Sequence, residues 1–254
     1  MPFQTITIER EGDWGVLTLN RPEVRNAIDE RMVREIHDAL KDLEVDDTLG
    51  CLIFTGAGGK AFAAGADIAQ LLERRHRDAF RRINTALFRM IEDFPAPTIA
   101  AISGYALGGG CELALACDLR VCGEGAKLGQ PEVGLGIIPG AGATYRLPRL
   151  IGHARARELI YTGRVLDAAQ AAAWGLVNRV VPDHQVMDAA RELAAEICRQ
   201  SKLAVRVAKV NLVAAARGSP ETAAEILGQA LLFDSPDKTA RMTAFLERRK
   251  KGGS

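Results

Sequence analysis

The stretch Pro97-Thr-Ile-Ala-Ala-Ile-Ser-Gly-Tyr-Ala-Leu-Gly-Gly-Gly-Cys-Glu-Leu-Ala-Leu-Ala-Cys117 decides the fold. Residues 97–102 are small or β-branched and stop at a Ser-Gly pair, which predicts a short buried strand followed by a turn. Gly108 to Gly110 then lead into an apolar segment that contains one acid, Glu112. This segment predicts a buried helix that begins at glycines. A strand that enters a helix through a turn is typical of the α/β class.

The glycines and Glu112 indicate chemistry as well as structure. Glycines let a bound group come close to the backbone, and unsatisfied N–H groups at a helix start favour negative charge. An acid in apolar surroundings has a raised pKa, in the range useful for proton transfer, unless it is paired. Glu132 lies in a second glycine-rich stretch, Gly129 to Gly142. Two acids near an anion-holding turn indicate acid–base chemistry.

The N-terminal part of the chain alternates strands and helices. Residues 6–10 and 14–20 alternate in hydrophobicity around Glu11-Gly12-Asp13, which predicts a β-hairpin. Asp29 is a predicted N-cap for a helix over about 30–43, and residues 51–54 predict a buried strand. This alternation requires crossover connections and supports the α/β class.

Residues 73–94 predict a single helix with a basic face and an apolar stripe. The basic face consists of Arg74, Arg75, Arg77, Arg81 and Arg82, and the stripe of Phe80, Ile83, Leu87, Met90 and Ile91. We expect the arginines to form a solvated face. RNA binding is disfavoured because interleaved aromatic residues and a net basic charge are both missing.

The C-terminal half becomes increasingly helical. We predict a strand over 118–122, a helical stretch over 144–162 broken near Pro148 and Gly152, a helix over 167–174 and a strand over 177–181. Four helices follow, at about 186–199, 202–217, 220–233 and 236–250. We therefore predict a core over 1–182 and a C-terminal helical subdomain over 183–254 that packs and oligomerises.

Composition excludes several classes of protein. The 254 residues carry a net charge of +1, so the total gives no indication of a nucleic-acid or membrane partner. The five cysteines are odd in number and form no C-x-x-C pair, which favours reduced thiols in a cytoplasmic protein. The N-terminus resembles no targeting signal, no apolar run approaches membrane-spanning length, and the four isolated histidines predict no metal site.

The segment from Gly56 to Ile68 is rich in glycine and contains Lys60. A phosphate-binding P-loop needs Ser or Thr after Gly-Lys, where this chain has Ala61, so a nucleotide hydrolase is excluded. The small residues 64–66 would let a ligand approach the backbone, and Asp67 is a predicted cap for a short helix through Leu72. Ser103 lacks the G-x-S-x-G pattern of serine hydrolases.

Three segments together resemble the enoyl-CoA hydratase/isomerase (crotonase) family. They are Ala61-Phe-Ala-Ala-Gly-Ala-Asp-Ile68, Gly104-Tyr-Ala-Leu-Gly-Gly-Gly-Cys-Glu-Leu113 and Gly129 to Gly142. Further matches are Asn20-Arg-Pro22 with Asn26-Ala27, Thr162-Gly163 and Trp174-Gly-Leu-Val177. The ordered set spans nearly the whole chain. The resemblance implies a crotonase-like spiral of ββα units with a C-terminal helical subdomain, assembled as a homotrimer or a dimer of trimers.

The resemblance also implies a reaction. Family members bind acyl-CoA thioesters, and the matching backbone N–H groups that would hold an enolate-like oxygen are those of Ala66 and Gly109. Glu112 and Glu132 match the two acids of hydratases, of which the first polarises water and the second exchanges the proton at C2. The Gly140 N–H would help to place that water. The implied activity is reversible syn hydration of a trans-2-enoyl-CoA in fatty acid β-oxidation, with no metal or redox cofactor.

The resemblance assigns the CoA portion to two segments and to a neighbouring subunit. The residues implied are Arg25, Asn26, Ala27, Ala64, Asp67 and Ile68, with Phe245 and Lys250 reaching the CoA of a neighbour. The chain departs from many hydratases at Ala143 and Tyr145, where Gly and Gln are common. The arginine-rich segment over 73–82, which borders the acyl pocket in the family, also diverges. These differences leave the acyl chain preference open.

Several alternatives remain at this stage. An isomerase that moves a double bond from C3 to C2 needs only one glutamate, and a non-catalytic acyl-CoA-binding or RNA-binding homologue would need neither. Glu112 could instead be a buried acid paired with an arginine such as Arg146, and Glu132 a turn acid. The triple glycine could serve only tight helix packing. These three structural explanations would have to coincide in one ordered pattern of motifs. A shared function of the three motifs is therefore favoured.

Overall fold

The computed structural model describes the backbone of residues 3–218 and 222–252, and the side chains except those of 222–224 and 249–252. The predicted hairpin is confirmed: β1 (Ile6–Glu11) pairs antiparallel with β2 (Trp14–Leu19). Helix α1 (Glu30–Glu44) begins at Asp29, whose side chain accepts a hydrogen bond of 2.8 Å from the Met32 N–H. This cap satisfies one of the N–H groups that a helix start leaves free.

A six-stranded sheet forms the centre of the molecule. It adds β3 (Cys51–Gly56), β5 (Thr98–Ile102), β7 (Leu119–Gly123) and β10 (Arg179–Val181), in the order β1-β2-β3-β5-β7-β10. All pairs after the hairpin are parallel, and Val16 lies opposite Ile53 in the β2–β3 register. Strand β5 is buried over its whole length. This explains its near-continuous apolar sequence, since parallel strands are covered on both faces.

A second sheet contains four strands of three residues each. They are β4 (Ala61–Ala63), β6 (Tyr105–Leu107), β8 (Lys127–Gly129) and β9 (Val165–Asp167), in that spatial order. Strands β4, β6 and β8 are parallel, and β9 is antiparallel to β8. Each of β3, β5 and β7 is followed by one short strand and then by helices. The repeat is the predicted spiral of ββα units.

The short helix predicted after the Asp67 cap is confirmed, whereas the single helix predicted over 73–94 is divided into two. The chain forms α2 (Ile68–Glu73), α3 (His76–Phe80) and α4 (Ile83–Asp93). Arg82 has a left-handed φ of 49°, which no continuous helix can contain. The expected apolar stripe is correct for Leu87 and Ile91, which are buried, but wrong for Phe80, which is 81% exposed. Because the helix is broken at Arg82, residues 74–82 do not pack in the core.

The next helices follow the strands of the second sheet along the chain. Helix α5 (Gly109–Ala116) is buried throughout, and α6 (Ala143–Ile151) and α7 (His153–Thr162) are separated at Gly152 as predicted. The break expected near Pro148 is absent, because this proline lies inside α6. Helix α8 (Ala168–Trp174) ends at Gly175 in a left-handed conformation, which glycine adopts without strain.

Four helices complete the chain: α9 (Val186–Cys198), α10 (Lys202–Ala216), α11 (Thr222–Phe233) and α12 (Pro236–Gly252). The predicted start at Pro220 lies outside the described residues. Val186 and Ala190 of α9 are buried against the large sheet. Large apolar side chains of α11 and α12 are exposed, namely Ile226, Leu227, Leu231, Phe233, Met242, Phe245 and Leu246. A separate C-terminal subdomain from residue 183 stays a prediction.

Candidate active site

The carboxyl ends of β4, β6 and β8 meet at one edge of the small sheet, because these three strands are parallel. The segments that follow them include residues 64–66, 108–109 and 131–132. Together with Glu112 of α5, these residues border a cavity of about 300 Å³. The fold thus brings together residues from three separate motifs, as is common at the strand ends of α/β proteins.

Two backbone N–H groups border this cavity at a point where the chain segments nearly touch. A Cβ atom on Gly109 would lie 3.4 Å from the Ala66 nitrogen, and one on Gly65 only 3.0 Å from the Leu107 carbonyl oxygen. Gly65 also has a φ of 107°, so glycine is required there. Across residues 3–218 and 222–252, the N–H groups of Ala66 and Gly109 donate no hydrogen bond. Both are therefore available to a ligand.

Glu112 is held by the loop that precedes α6. Its side chain is 3% exposed, and its Oε1 accepts hydrogen bonds from the N–H groups of Ala141 (2.7 Å) and Ala143 (3.0 Å). Burial raises the pKa of Glu112, and these two hydrogen bonds act in the opposite direction. The carboxylate is therefore oriented by backbone donors.

Arg146 stabilises this loop and forms no salt bridge with Glu112. Its guanidinium donates to the Ala141 carbonyl oxygen (3.0 Å) and forms a salt bridge of 3.2 Å with Glu92. The sequence alternative in which Glu112 is a structural partner of Arg146 is therefore wrong. A Cβ atom on Gly142 would overlap the Arg146 guanidinium, so the tight loop depends on glycine at this position.

Glu132 follows β8 and reaches over the start of α5. It is 9% exposed, and a Cβ atom on Gly108 would lie 2.9 Å from its Oε1. Burial, together with the nearby Glu112 carboxylate, raises the pKa of Glu132 to about 7. With its amide oriented to satisfy both groups, Gln130 donates to the two carboxylate oxygens at 3.0 and 3.1 Å. Glu132 is thus a buried acid that can change its charge near neutral pH.

Gly140 borders the same cavity, in the loop that supports Glu112. Its carbonyl oxygen accepts a hydrogen bond of 3.0 Å from Thr85 Oγ1 of α4. In the described part of the chain its N–H has no hydrogen-bond partner. A role for this N–H in placing water stays a prediction.

The two segments expected to hold CoA are joined by backbone hydrogen bonds. The Ala64 N–H donates to the Arg25 carbonyl oxygen (3.0 Å), and the Ile28 N–H donates to that of Gly65 (2.8 Å). Arg25 is exposed, with its guanidinium 6.0 Å from the centre of the Tyr105 ring. Ala64 borders the cavity. The segments expected to bind CoA are therefore adjacent to the cavity, although the ligand contacts themselves stay predicted.

The other residues expected near CoA differ in what their side chains do. Asn26 is fully buried and its amide donates to the carbonyl oxygens of Ala57 and Ala61, so it secures its own loop. Ala27 is half-buried, and the Asp67 side chain caps α2. Ile68 borders the cavity. Side-chain contacts of Asn26 and Asp67 thus serve the fold.

The two expected residues of the last helix lie apart from this cavity. Phe245 is 55% exposed on α12, and within the described residues it is not among the cavity lining of its own protomer. The side chain of Lys250 lies outside the described part of the structure. The role of both in a neighbour's site stays a prediction.

The arginines are largely exposed as expected, since only Arg74 is half-buried, but they lie on a broken segment and not on one helix face. Arg74, Arg75 and Arg82 border the cavity, while Arg81 pairs with Glu30 at 3.5 Å. Sequence periodicity missed this arrangement because it assumed an unbroken helix. It also missed the backbone support of Glu112 and the contact of Gln130 with Glu132. The glycine-rich loop at 140–142 was the sequence feature that could have indicated the backbone support of Glu112.

The family model for enoyl-CoA hydratase/isomerase matches residues 9–252. The chain belongs to the enoyl-CoA hydratase/isomerase family. It is 42% identical over 254 residues to the crotonyl-CoA hydratase of Syntrophomonas wolfei, covering 98% of each chain. It is 38% identical over 257 residues to the short-chain-enoyl-CoA hydratase of Clostridium acetobutylicum, covering 100% of this chain and 98% of that one.

The fold comparison agrees with the family assignment. The crystal structure of enoyl-CoA hydratase from Bacillus anthracis superposes with a TM-score of 0.90 at 36% identity, covering 96% of this chain and 97% of that one. An enoyl-CoA hydratase structure from Geobacillus kaustophilus gives 0.92 at 38% identity, covering 98% and 97%. The predicted crotonase-like fold is confirmed.

Two further observations concern metals and membranes. Within the described ranges, no group of three or more His, Cys, Asp or Glu side chains is arranged to hold a metal ion. None of the described helices is long and apolar enough to cross a membrane.

Proposed function

We propose that this protein catalyses the reversible addition of water to a trans-2-enoyl-CoA, giving a 3-hydroxyacyl-CoA. One observation carries the proposal: two buried acids, Glu112 and Glu132, border the same cavity as the unpartnered N–H groups of Ala66 and Gly109. The names of the S. wolfei and C. acetobutylicum relatives support hydration as the reaction.

The two N–H groups would bind the thioester carbonyl oxygen. Hydration places negative charge on this oxygen while water adds to C3, and donors fixed in advance stabilise such charge. Removing one donor of this kind typically costs about 3 kcal/mol of transition-state stabilisation. Gly109 is also the first residue of α5, so the positive end of the helix adds to the effect.

The two acids divide the transfer of protons between them. Glu112, whose Oε1 is stabilised by two N–H donors, takes a proton from water as the water oxygen bonds to C3. Glu132, with a pKa of about 7, gives its proton to C2 as the enolate collapses. A proton then passes through solvent from Glu112 to Glu132, which restores the starting state. The Gly140 N–H would hold the attacking water.

The remaining features of the proposal concern the CoA portion and the assembly. Arg25 to Ala27 and Ala64 to Ile68 would hold CoA, which enters as part of the substrate, and no other cofactor takes part. The exposed apolar side chains of α11 and α12 support association with other subunits, and by resemblance to the family we propose a homotrimer or a dimer of trimers. In such an assembly Phe245 and Lys250 would reach a neighbour's CoA. We place the reaction in cytoplasmic fatty acid β-oxidation.

The test is hydration of crotonyl-CoA, followed by loss of the conjugated thioester absorbance. Glu112→Gln and Glu132→Gln should each lower kcat about 10²-fold to 10⁴-fold, because each removes a proton-transfer group, while CoA affinity persists. Glu124→Gln, on the exposed surface after β7, is the matched control and should retain full activity.

Other results would identify the alternatives. Turnover of a 3-enoyl-CoA without hydration of crotonyl-CoA would indicate an isomerase. CoA binding with neither reaction would indicate a non-catalytic homologue.

A further inference from the structure

Three arginines border the catalytic cavity without a partner. Arg74 and Arg75 follow α2, and Arg82 precedes α4. In the described part of the chain, none of their guanidinium groups forms a salt bridge or a side-chain hydrogen bond. Asp78 also borders the cavity, but it accepts a hydrogen bond of 2.8 Å from the Arg75 backbone N–H and lies 3.8 Å from Arg81. At this wall three guanidinium groups, of which those of Arg75 and Arg82 are exposed to solvent, accompany the single carboxylate of Asp78.

This arginine wall adjoins the loop that holds Glu112. Arg82 is three residues before Thr85, whose hydroxyl donates to the Gly140 carbonyl oxygen at 3.0 Å. The next residue of that loop, Ala141, donates to Glu112. Arg82 and Glu112 border the same cavity, and Glu112 is the acid proposed to act at C3. The arginine wall is therefore within the space open to an acyl chain that extends beyond C3.

A polar side chain and apolar side chains accompany the arginines. Asn84 borders the cavity, and its buried Oδ1 has no hydrogen-bond partner among the described residues. This oxygen is an acceptor, so it is available to a hydrogen-bond donor such as water or a hydroxyl group and does not itself bind a carboxylate. Ile83, Ile137 and Ile138 border the same space and would contact methylene groups. The cavity is suited to an aliphatic chain that ends in a polar group.

We propose that the preferred acyl group carries a second carboxylate at its far end, which Arg82 binds together with Arg74 or Arg75. This inference rests on the proposed hydration and specifies its substrate class. A guanidinium presents a fork of donors that matches a carboxylate, and charged hydrogen bonds of this kind are about twice as strong as neutral ones. A methyl-ended chain would leave the same arginines without a counter-ion.

The test compares two six-carbon substrates that differ only at the chain end. We expect kcat/KM for 5-carboxy-2-pentenoyl-CoA to exceed that for 2-hexenoyl-CoA at least tenfold. Arg82→Gln should lower this ratio about tenfold, the loss expected for one charge-assisted hydrogen bond. Arg77→Gln is the matched control, because Arg77 lies on α3 but does not belong to the described cavity lining, and it should leave the ratio unchanged.

Binding of the saturated analogues adipoyl-CoA and hexanoyl-CoA separates this inference from hydration itself. Tighter binding of adipoyl-CoA that is lost in Arg82→Gln supports the carboxylate site even if no substrate is hydrated, which would refute only the proposed function. Equal weakening of both analogues and of free CoA would show that the arginines bind the CoA phosphates, and would overturn the inference. A preference for hexanoyl-CoA and 2-hexenoyl-CoA would also overturn it.

Discussion

Replacing Glu132 with glutamine should stabilise the protein while it lowers kcat about 10²-fold to 10⁴-fold. The side chain is almost completely buried, and its pKa is raised from 4.5 to about 7. Below pH 4.5 the acid is neutral in both the folded and the unfolded state. As the pH rises from 4.5 to 7, the unfolded state loses this proton before the folded state does. Stability is therefore lost across this interval and stays lower above it.

The change in the free energy of unfolding follows from the difference between the folded and unfolded pKa values of Glu132. The pKa difference of 7 − 4.5, or about 2.5, corresponds to about 3.5 kcal/mol at about 1.4 kcal/mol for each pKa unit. The Gln130 amide offsets part of this cost because it donates to both oxygens of the ionised acid. We therefore expect Glu132→Gln to raise the free energy of unfolding by about 1 to 3 kcal/mol at pH 8. At pH 5 the gain should shrink to below about 1 kcal/mol, because the native acid is already protonated there.

Urea denaturation at pH 5 and pH 8, followed by the fluorescence of Trp14 and Trp174, measures both quantities at one protein concentration. Glu192→Gln, on the exposed side of α9, is the control and should change the unfolding free energy by less than about 0.5 kcal/mol at either pH. A Glu132→Gln protein no more stable than the native one at pH 8 would refute the account of this acid. So would a gain of equal size at both pH values.

Three further predictions concern the same site. The kcat/KM for hydration should fall as the pH rises through about 7, since Glu132 must be protonated to supply a proton to C2, and a pH profile of kcat/KM with crotonyl-CoA checks this; a flat profile between pH 6 and 9 would contradict it. Gly142→Ala should lower kcat at least about tenfold, because the new Cβ displaces Arg146 and the loop that orients Glu112, whereas Gly134→Ala, where nothing lies within 4 Å, should have little effect in the same assay. Asn26→Ala should lower the free energy of unfolding by about 3 kcal/mol, because three hydrogen bonds of the buried amide are lost; urea denaturation that shows a loss below about 1 kcal/mol would count against this role.

Much of the large sheet could be predicted from the sequence, but none of the small one. The hairpin and strands β3, β5 and β7 have clear alternation or apolar runs. Strands β4, β6, β8 and β9 are three residues long, which is too short for a period of two to be detected. These short strands nevertheless place Ala66, Gly109 and Glu132 at one edge of the small sheet. Motif resemblance identified the residues, and only the topology explains why they meet.

The wall of arginines could not be predicted, since it depends on a local break. Arg82 adopts a left-handed conformation that its sequence does not signal, and glycine is absent there. The backbone donors of Ala141 and Ala143 were also missed, because any residue can supply an N–H group. The sequence therefore predicted the acids of the site better than the groups that orient them.

A crystal structure with bound 3-hydroxybutyryl-CoA tests the central proposal most directly. The account predicts the thioester oxygen about 2.7 to 3.1 Å from both the Ala66 and the Gly109 nitrogen, as expected for an oxyanion hole. It also predicts that the C3 hydroxyl lies within hydrogen-bond reach of Glu112, with C2 facing Glu132. A thioester oxygen bound elsewhere, or a hydroxyl that contacts neither acid, would contradict it.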